Sequence, residues 1–129
     1  MGNIKTLSEE ELLRIAGIND NKYKSVLWHG REFSVLKTIS VQEYLDTINS
    51  IIDMCSNEDG EILIEMLDFA IRVKTISVLS CVKLPENIDT LFRLVYSSDL
   101  YDVICTAAGG GISAAIRRAV FMRIGDCHE

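Results

Sequence analysis

Histidine, proline and tryptophan are scarce in this chain: His29, His128, Pro85 and Trp28 are the whole supply in 129 residues. Catalysis by histidine needs a Cys, Ser or carboxylate positioned beside the ring. His29 falls in an expected turn and His128 sits beside Cys127 near the end, and the sequence offers neither such a frame. Cys127 and His128 alone do not complete a metal site. No C-x-x-C pair occurs either. Cys55, Cys81, Cys105 and Cys127 lie more than twenty residues apart, which argues against a zinc knuckle or a thioredoxin-type centre. An even count permits two disulfides, but no secretory signal peptide points to an oxidising compartment. The reading is a reduced cytoplasmic protein in which Cys55 and Cys81 are small core residues.

Basic charge is also short. Thirteen Lys and Arg face nineteen Asp and Glu, a formal net charge of −6. Generic attraction to nucleic acid needs a basic surface, so a protein partner fits this balance better than DNA or RNA. The longest apolar runs are broken by Arg72 and Lys74, so no segment reads as a membrane span. Internal repeats and low-complexity tracts are missing. Asp53, Glu58 and Asp59 cluster near one another but lack the alternating ligands and twelfth-position Glu of an EF-hand. Residues Met1 to Thr6 match the N-myristoylation template, a motif too short to carry an assignment alone. No cofactor is implied, and no catalytic or metal-binding residue is nominated.

The stretch "TAAGGGISAAIRRA", Thr106 to Ala119, raises the one phosphate-binding question. A Walker loop requires a lysine after its glycines and a strand before them. Here Ile112 and Ser113 follow and a helix precedes, so Gly109, Gly110 and Gly111 read as a hinge between two helices. Arg117 and Arg118 then flank a solvated or partner-facing side of the last helix.

What is present reads as one mainly α (α+β) domain. Residues 1–22 hold a capped helix and a turn, 23–39 a β-hairpin, 40–124 a bundle of about four to five helices, and 125–129 a flexible tail. Ser8 and Glu11 form a capping box, with Glu9 and Glu10 at the positive end of the helix dipole and Gly17 as its C-terminal cap. Asn19, Asp20 and Asn21 make a polar turn. "YKSVLWHGREFSVLKTI" is rich in β-branched and aromatic residues, with His29-Gly30 at its centre as the hairpin turn. Val26 and Trp28 share one strand face, as do Phe33 and Val35. A lone hairpin is marginal in water and must pack on helices or on strands of another copy.

Ser40 and Glu43 cap the next helix, whose stripe is Tyr44, Leu45, Ile48, Ile51, Ile52 and Cys55. After the breaker Asn57 to Gly60, a central helix is expected from Glu61 to about Ser80. Its core candidates are Ile62, Met66, Phe69, Ala70, Val73, Ile76 and Leu79, and Leu84-Pro85 ends it. Asn87 caps a helix with the stripe Ile88, Leu91, Phe92, Val95 and Tyr96. Ser98 or Asp99 caps a short helix before the glycines, and a last helix runs from about Ile112 to Ile124.

Several of these segments resemble small tail assembly chaperones and related tail proteins of long-tailed (siphovirus-like) bacteriophages and prophages. The resemblance rests on the β-entry into the capped helix at Ser40, "DFAIRV" at Asp68 to Val73, "LP" at Leu84-Pro85 and "LVYSSDLYDVI" at Leu94 to Ile104. It covers about two-thirds of the chain. The glycine triplet departs from the polar residues that introduce the family's last helix. The resemblance implies a non-enzymatic protein of the infected bacterium's cytoplasm that binds the tape-measure protein and helps recruit tail-tube subunits. Leu12, Trp28 and Phe33 are the expected partner-binding residues, with Arg117 and Arg118 supplying charge. Two alternatives stand beside it. One is a virion component or connector whose hairpins pair into a homo-oligomeric ring; the other is a phage-encoded inhibitor that meets a host enzyme through its acidic surface.

Overall fold

A His-Gly dipeptide between two β-branched runs favours a two-residue turn with positive φ at both positions, and the chain adopts it: φ is 50° at His29 and 75° at Gly30. The computed structural model describes residues 5–16 and 22–127. The turn joins β1 (Tyr23–Trp28) to β2 (Arg31–Leu36), antiparallel, with Val26 opposite Phe33 and Trp28 opposite Arg31. Before the hairpin stands α1 (Glu9–Ile15); after it come α2 (Val41–Cys55), a 3-10 turn (Ile64–Met66), α3 (Leu67–Leu79), α4 (Ile88–Ser97), α5 (Leu100–Ala107) and α6 (Gly111–Cys127). This is the expected class, mainly α with one hairpin.

Short polar side chains set the helix starts. Ser40 and Glu43 form the complete capping box: the Ser40 hydroxyl accepts from the Glu43 N–H, and the Glu43 carboxylate accepts from the Ser40 N–H, each at 3.0 Å. Hydrogen bonding by Ser40, its backbone N–H first, holds the Glu43 carboxyl below its ordinary pKa. Asn87 caps α4 through the Thr90 N–H. At α1 the Ser8 hydroxyl accepts from the Glu11 N–H, but the Glu11 carboxylate takes the Ser8 hydroxyl in place of the backbone donor. The expected cap at Gly17 and the turn at Asn19 to Asn21 lie outside the described residues. Helix α1 buries no residue; Leu12 is 51% and Ile15 70% exposed.

Helix α3 is central, touching α2, α4, α5 and α6. Its two sides feed two apolar clusters. Phe69, Val73, Ile76 and Leu79 join Val35 of the hairpin, Leu91 and Val95 of α4, and Leu100, Tyr101 and Ile104 of α5. Leu67, Ala70 and Ile71 join Ile48, Ile51 and Cys55 of α2, and Ile116, Val120 and Ile124 of α6. Nearly continuous burial around α3 is what its all-round apolar sequence demands. The β-branched run Thr75 to Val78 stays helical, although the Thr75 hydroxyl is buried without a partner.

Several expectations are corrected. The central helix begins at Leu67, not Glu61. Ile62 pairs with Ser56 in an isolated bridge, and the Leu63 N–H reaches the Cys55 carbonyl, so the backbone groups of this segment are taken up outside a helix. The same helix ends at Leu79, within a residue of the expected end at about Ser80, but Pro85 is not what stops it: Ser80 forms an antiparallel bridge with Val35 of β2. Cys81, just beyond, is exposed rather than a core residue, whereas Cys55 is fully buried. Leu45, Ile88, Phe92 and Tyr96 continue their helical stripes in sequence but remain 40% or more exposed. The tail assigned to 125–129 is helical as far as Cys127.

The glycine triplet is a built turn. Gly109 and Gly110 have φ of 98° and 80°, the Gly109 N–H bonds to the Thr106 carbonyl, and the Gly110 N–H bonds to the Cys105 carbonyl. That pair of bonds is a Schellman cap ending α5. Gly111 is already the first residue of α6, which leaves α5 at 113°. Ile116, Val120 and Ile124 then seat α6 in the second cluster. Among the described residues no single helix is long and apolar enough to cross a membrane.

Candidate functional site

Asp68, in the first turn of α3, collects three donors from three helices. Arg72, one turn along α3, gives its Nε–H to Oδ2 at 2.9 Å; Tyr96 of α4 gives its hydroxyl to the same oxygen at 2.5 Å; Arg117 of α6 gives Nη2–H to Oδ1 at 2.8 Å. Partial burial alone would raise the Asp68 pKa. The hydrogen bonds from Tyr96 and Arg117 and the charge of Arg72 outweigh it and hold the carboxyl below its ordinary value. A carboxylate so occupied is charged at neutral pH and ties α3, α4 and α6 together.

Aromatic rings complete the site. The Arg72 guanidinium lies 5.2 Å from the Tyr96 ring centroid and 4.8 Å from that of Tyr101 of α5, an arginine between two π faces. Phe92 and Tyr96, one turn apart on α4, are 4.8 Å apart at their centroids, and both lean on the buried Phe69. Burial, followed by the bond to Asp68, pushes the Tyr96 hydroxyl up to about 12. Burial likewise raises the Tyr101 hydroxyl and the Cys105 thiol one turn beyond it. Asp68, Arg72 and Arg117 together carry one net positive charge on an otherwise acidic chain. Half-exposed apolar side chains continue the cluster's helices, with Ile88 and Phe92 in line with Tyr96 on α4 and Phe121 one turn past Arg117 on α6.

The residues nominated from sequence fall in different places. Arg117 joins this cluster, while Arg118 is exposed on α6. Trp28 and Phe33 are half-buried on the inner hairpin face, packed against the first cluster. The Trp28 indole Nε1–H donates to Asp99 Oδ1 at 2.8 Å, which diverts Asp99 from capping α5; the Ser98 hydroxyl accepts the Leu100 N–H instead. Leu12 lies on the exposed α1. Sequence reasoning missed Asp68, Arg72, Tyr96 and Tyr101 as a group. The one local signal was the Asp68/Arg72 spacing of four residues in a helix.

No three of the described His, Cys, Asp and Glu residues converge as metal ligands. The surface depressions are shallow grooves, among them one of about 320 Å³ between α2 and α3 and one of about 390 Å³ between β1 and α5. What the arrangement offers is an arginine-and-tyrosine surface of the composition that dominates protein-binding hot spots. The fold is therefore a mainly α domain in which this cluster joins four helices, α3, α4, α5 and α6. Comparison of the chain with protein-family models, with curated proteins and with solved structures finds no match.

Proposed function

We propose that this protein is a non-enzymatic assembly chaperone that holds an amphipathic helix of a tape-measure-like protein on α4 and helps bring tail-tube subunits to it. The observation that carries the reading is the row Ile88, Phe92 and Tyr96, spaced by four residues and 52, 49 and 42% exposed. A helix that turns such a row to water has an apolar face left for a partner, in the manner of helix-on-helix recognition. Arg72 and Arg117 beside the row suit acidic residues flanking the partner's apolar stripe. Two of the segments that resemble tail assembly chaperones, Asp68 to Val73 and Leu94 to Ile104, supply Asp68, Arg72 and Tyr96 to this surface, with the buried Tyr101 backing Arg72.

Affinity capture from phage-infected cells, read by mass spectrometry, tests the proposal. Tape-measure or tube protein is expected on the wild-type chain and is expected to be lost with Phe92→Ser, a change at a half-exposed site that leaves the helical circular dichroism intact. Recovery of a host enzyme alone, or unchanged capture by Phe92→Ser, would overturn it.

A further inference from the structure

The hairpin has one backbone edge still open. Lys37 donates its N–H to the Lys22 carbonyl at 2.9 Å, which fixes the parity of the ladder: Lys22, Lys24, Val26 and Trp28 turn their backbone groups toward β2. Tyr23, Ser25 and Leu27 therefore aim their N–H and C=O groups away from it. The far edge of β2 is engaged through the Val35–Ser80 bridge, whereas among the described residues nothing pairs with the outer edge of β1. Exposed edges of this kind invite another strand.

We infer that the partner of this edge is a second copy of the same chain, joined through β1 by an antiparallel two-fold centred on Ser25. The register follows from the residues. Centred on Ser25, the pairing matches every outward N–H and C=O of Tyr23, Ser25 and Leu27 with those of the second copy. Centred on Lys24 it would leave the Leu27 groups unmatched and set two lysines face to face; centred on Val26 it would leave those of Tyr23 unmatched. The Ser25 register instead places each Lys24 opposite a Val26 of the other copy.

Side chains agree with the backbone. Tyr23 and Leu27 share the outer face of the hairpin and are 53 and 71% exposed, high for residues of their size. In the Ser25 register each Tyr23 lies opposite a Leu27 of the other copy, twice over by symmetry, as a self-complementary interface requires. On the inner face each copy brings Val26 to the mouth of the other's groove between β1 and α5, where Val103, Thr106 and Ala107 present mostly apolar surface. The result is one four-stranded sheet, β2-β1-β1-β2, across a closed dimer. The α4 row takes no part in it, so the inference stands apart from the chaperone reading.

Sedimentation equilibrium on the full chain tests it, together with two variants. The wild type is expected to be a concentration-dependent dimer. Ser25→Pro removes an outward N–H that the hairpin itself does not use, and Leu27→Lys puts charge on an exposed site, so both should keep the wild-type circular dichroism and lose the dimer. A wild type that stays monomeric at the highest concentration reached would overturn the inference. So would a ring larger than a dimer, or a Ser25→Pro protein that still dimerises.

Discussion

Arg117 in the second turn of α6 and Asp68 in the first turn of α3 meet at 2.8 Å across forty-nine residues of chain. The pair ties the helix that follows the glycine turn to the helix at the centre of the fold. Both side chains are about a third or more exposed, at 34 and 42%, so water screens much of the attraction. Shared acceptance from Tyr96 and Arg72 makes the pair part of a network, which is where such contacts gain strength.

Asp68→Asn is expected to lower stability by about 1 kcal/mol at neutral pH, read from urea denaturation. The folded Asp68 carboxyl ionises below its unfolded counterpart. Its contribution is therefore complete above the unfolded value of about 4 and fades as the pH falls through the lower folded value. The stability difference between wild type and Asp68→Asn should shrink as the medium is made more acid than about pH 4. A difference that grows toward acid would show that the network does not favour the charged carboxylate.

The glycines of the α5–α6 turn are expected to separate on substitution. Gly109→Ala forces a Cβ into a backbone with φ of 98° and should cost about 1–2 kcal/mol, seen as a lower thermal midpoint. Gly111→Ala has open space around its new Cβ and no positive φ, so it should be neutral or raise stability by about 0.4–1 kcal/mol. Equal effects at the two positions would mean that turn geometry is not what the glycines serve.

Trp28→Phe keeps the apolar ring and deletes the 2.8 Å bond to Asp99, and should cost about 1 kcal/mol. Asp99→Asn retains an acceptor oxygen and should cost less. Because the two residues share one bond, the double variant should lose less than the sum of the singles, measured by a denaturation cycle. Strict additivity would mean that the bond does not couple hairpin to bundle in solution.

Local chemistry was the legible part of this fold. Ser40 with Glu43, Asn87, and His29-Gly30 each act within four residues of chain, so sequence alone places the starts of α2 and α4 and the turn of the hairpin. Outward-facing apolar residues were illegible for the complementary reason. Phe92 has the same helical spacing as Leu91 and Val95, and what separates them is that α3 and α5 press on one side of α4 only. Backbone pairing also overrode helix periodicity around α3: before it Ile62 bridges Ser56 across a short turn, and just past its end Ser80 bridges the distant Val35 of β2. The Asp68 cluster stayed hidden because Tyr96 and Arg117 reach it from far along the chain, and no spacing rule links residues so remote.

The placement of α3 between two apolar clusters bears on how the molecule comes apart. Phe69, Val73, Ile76 and Leu79 hold one side, and Leu67, Ala70 and Ile71 hold the other, so neither cluster keeps its wall if α3 unravels. Heat or denaturant should therefore melt the α2–α6 half and the hairpin–α4–α5 half in one cooperative step, and α1, which buries nothing, should exchange its amide protons long before either.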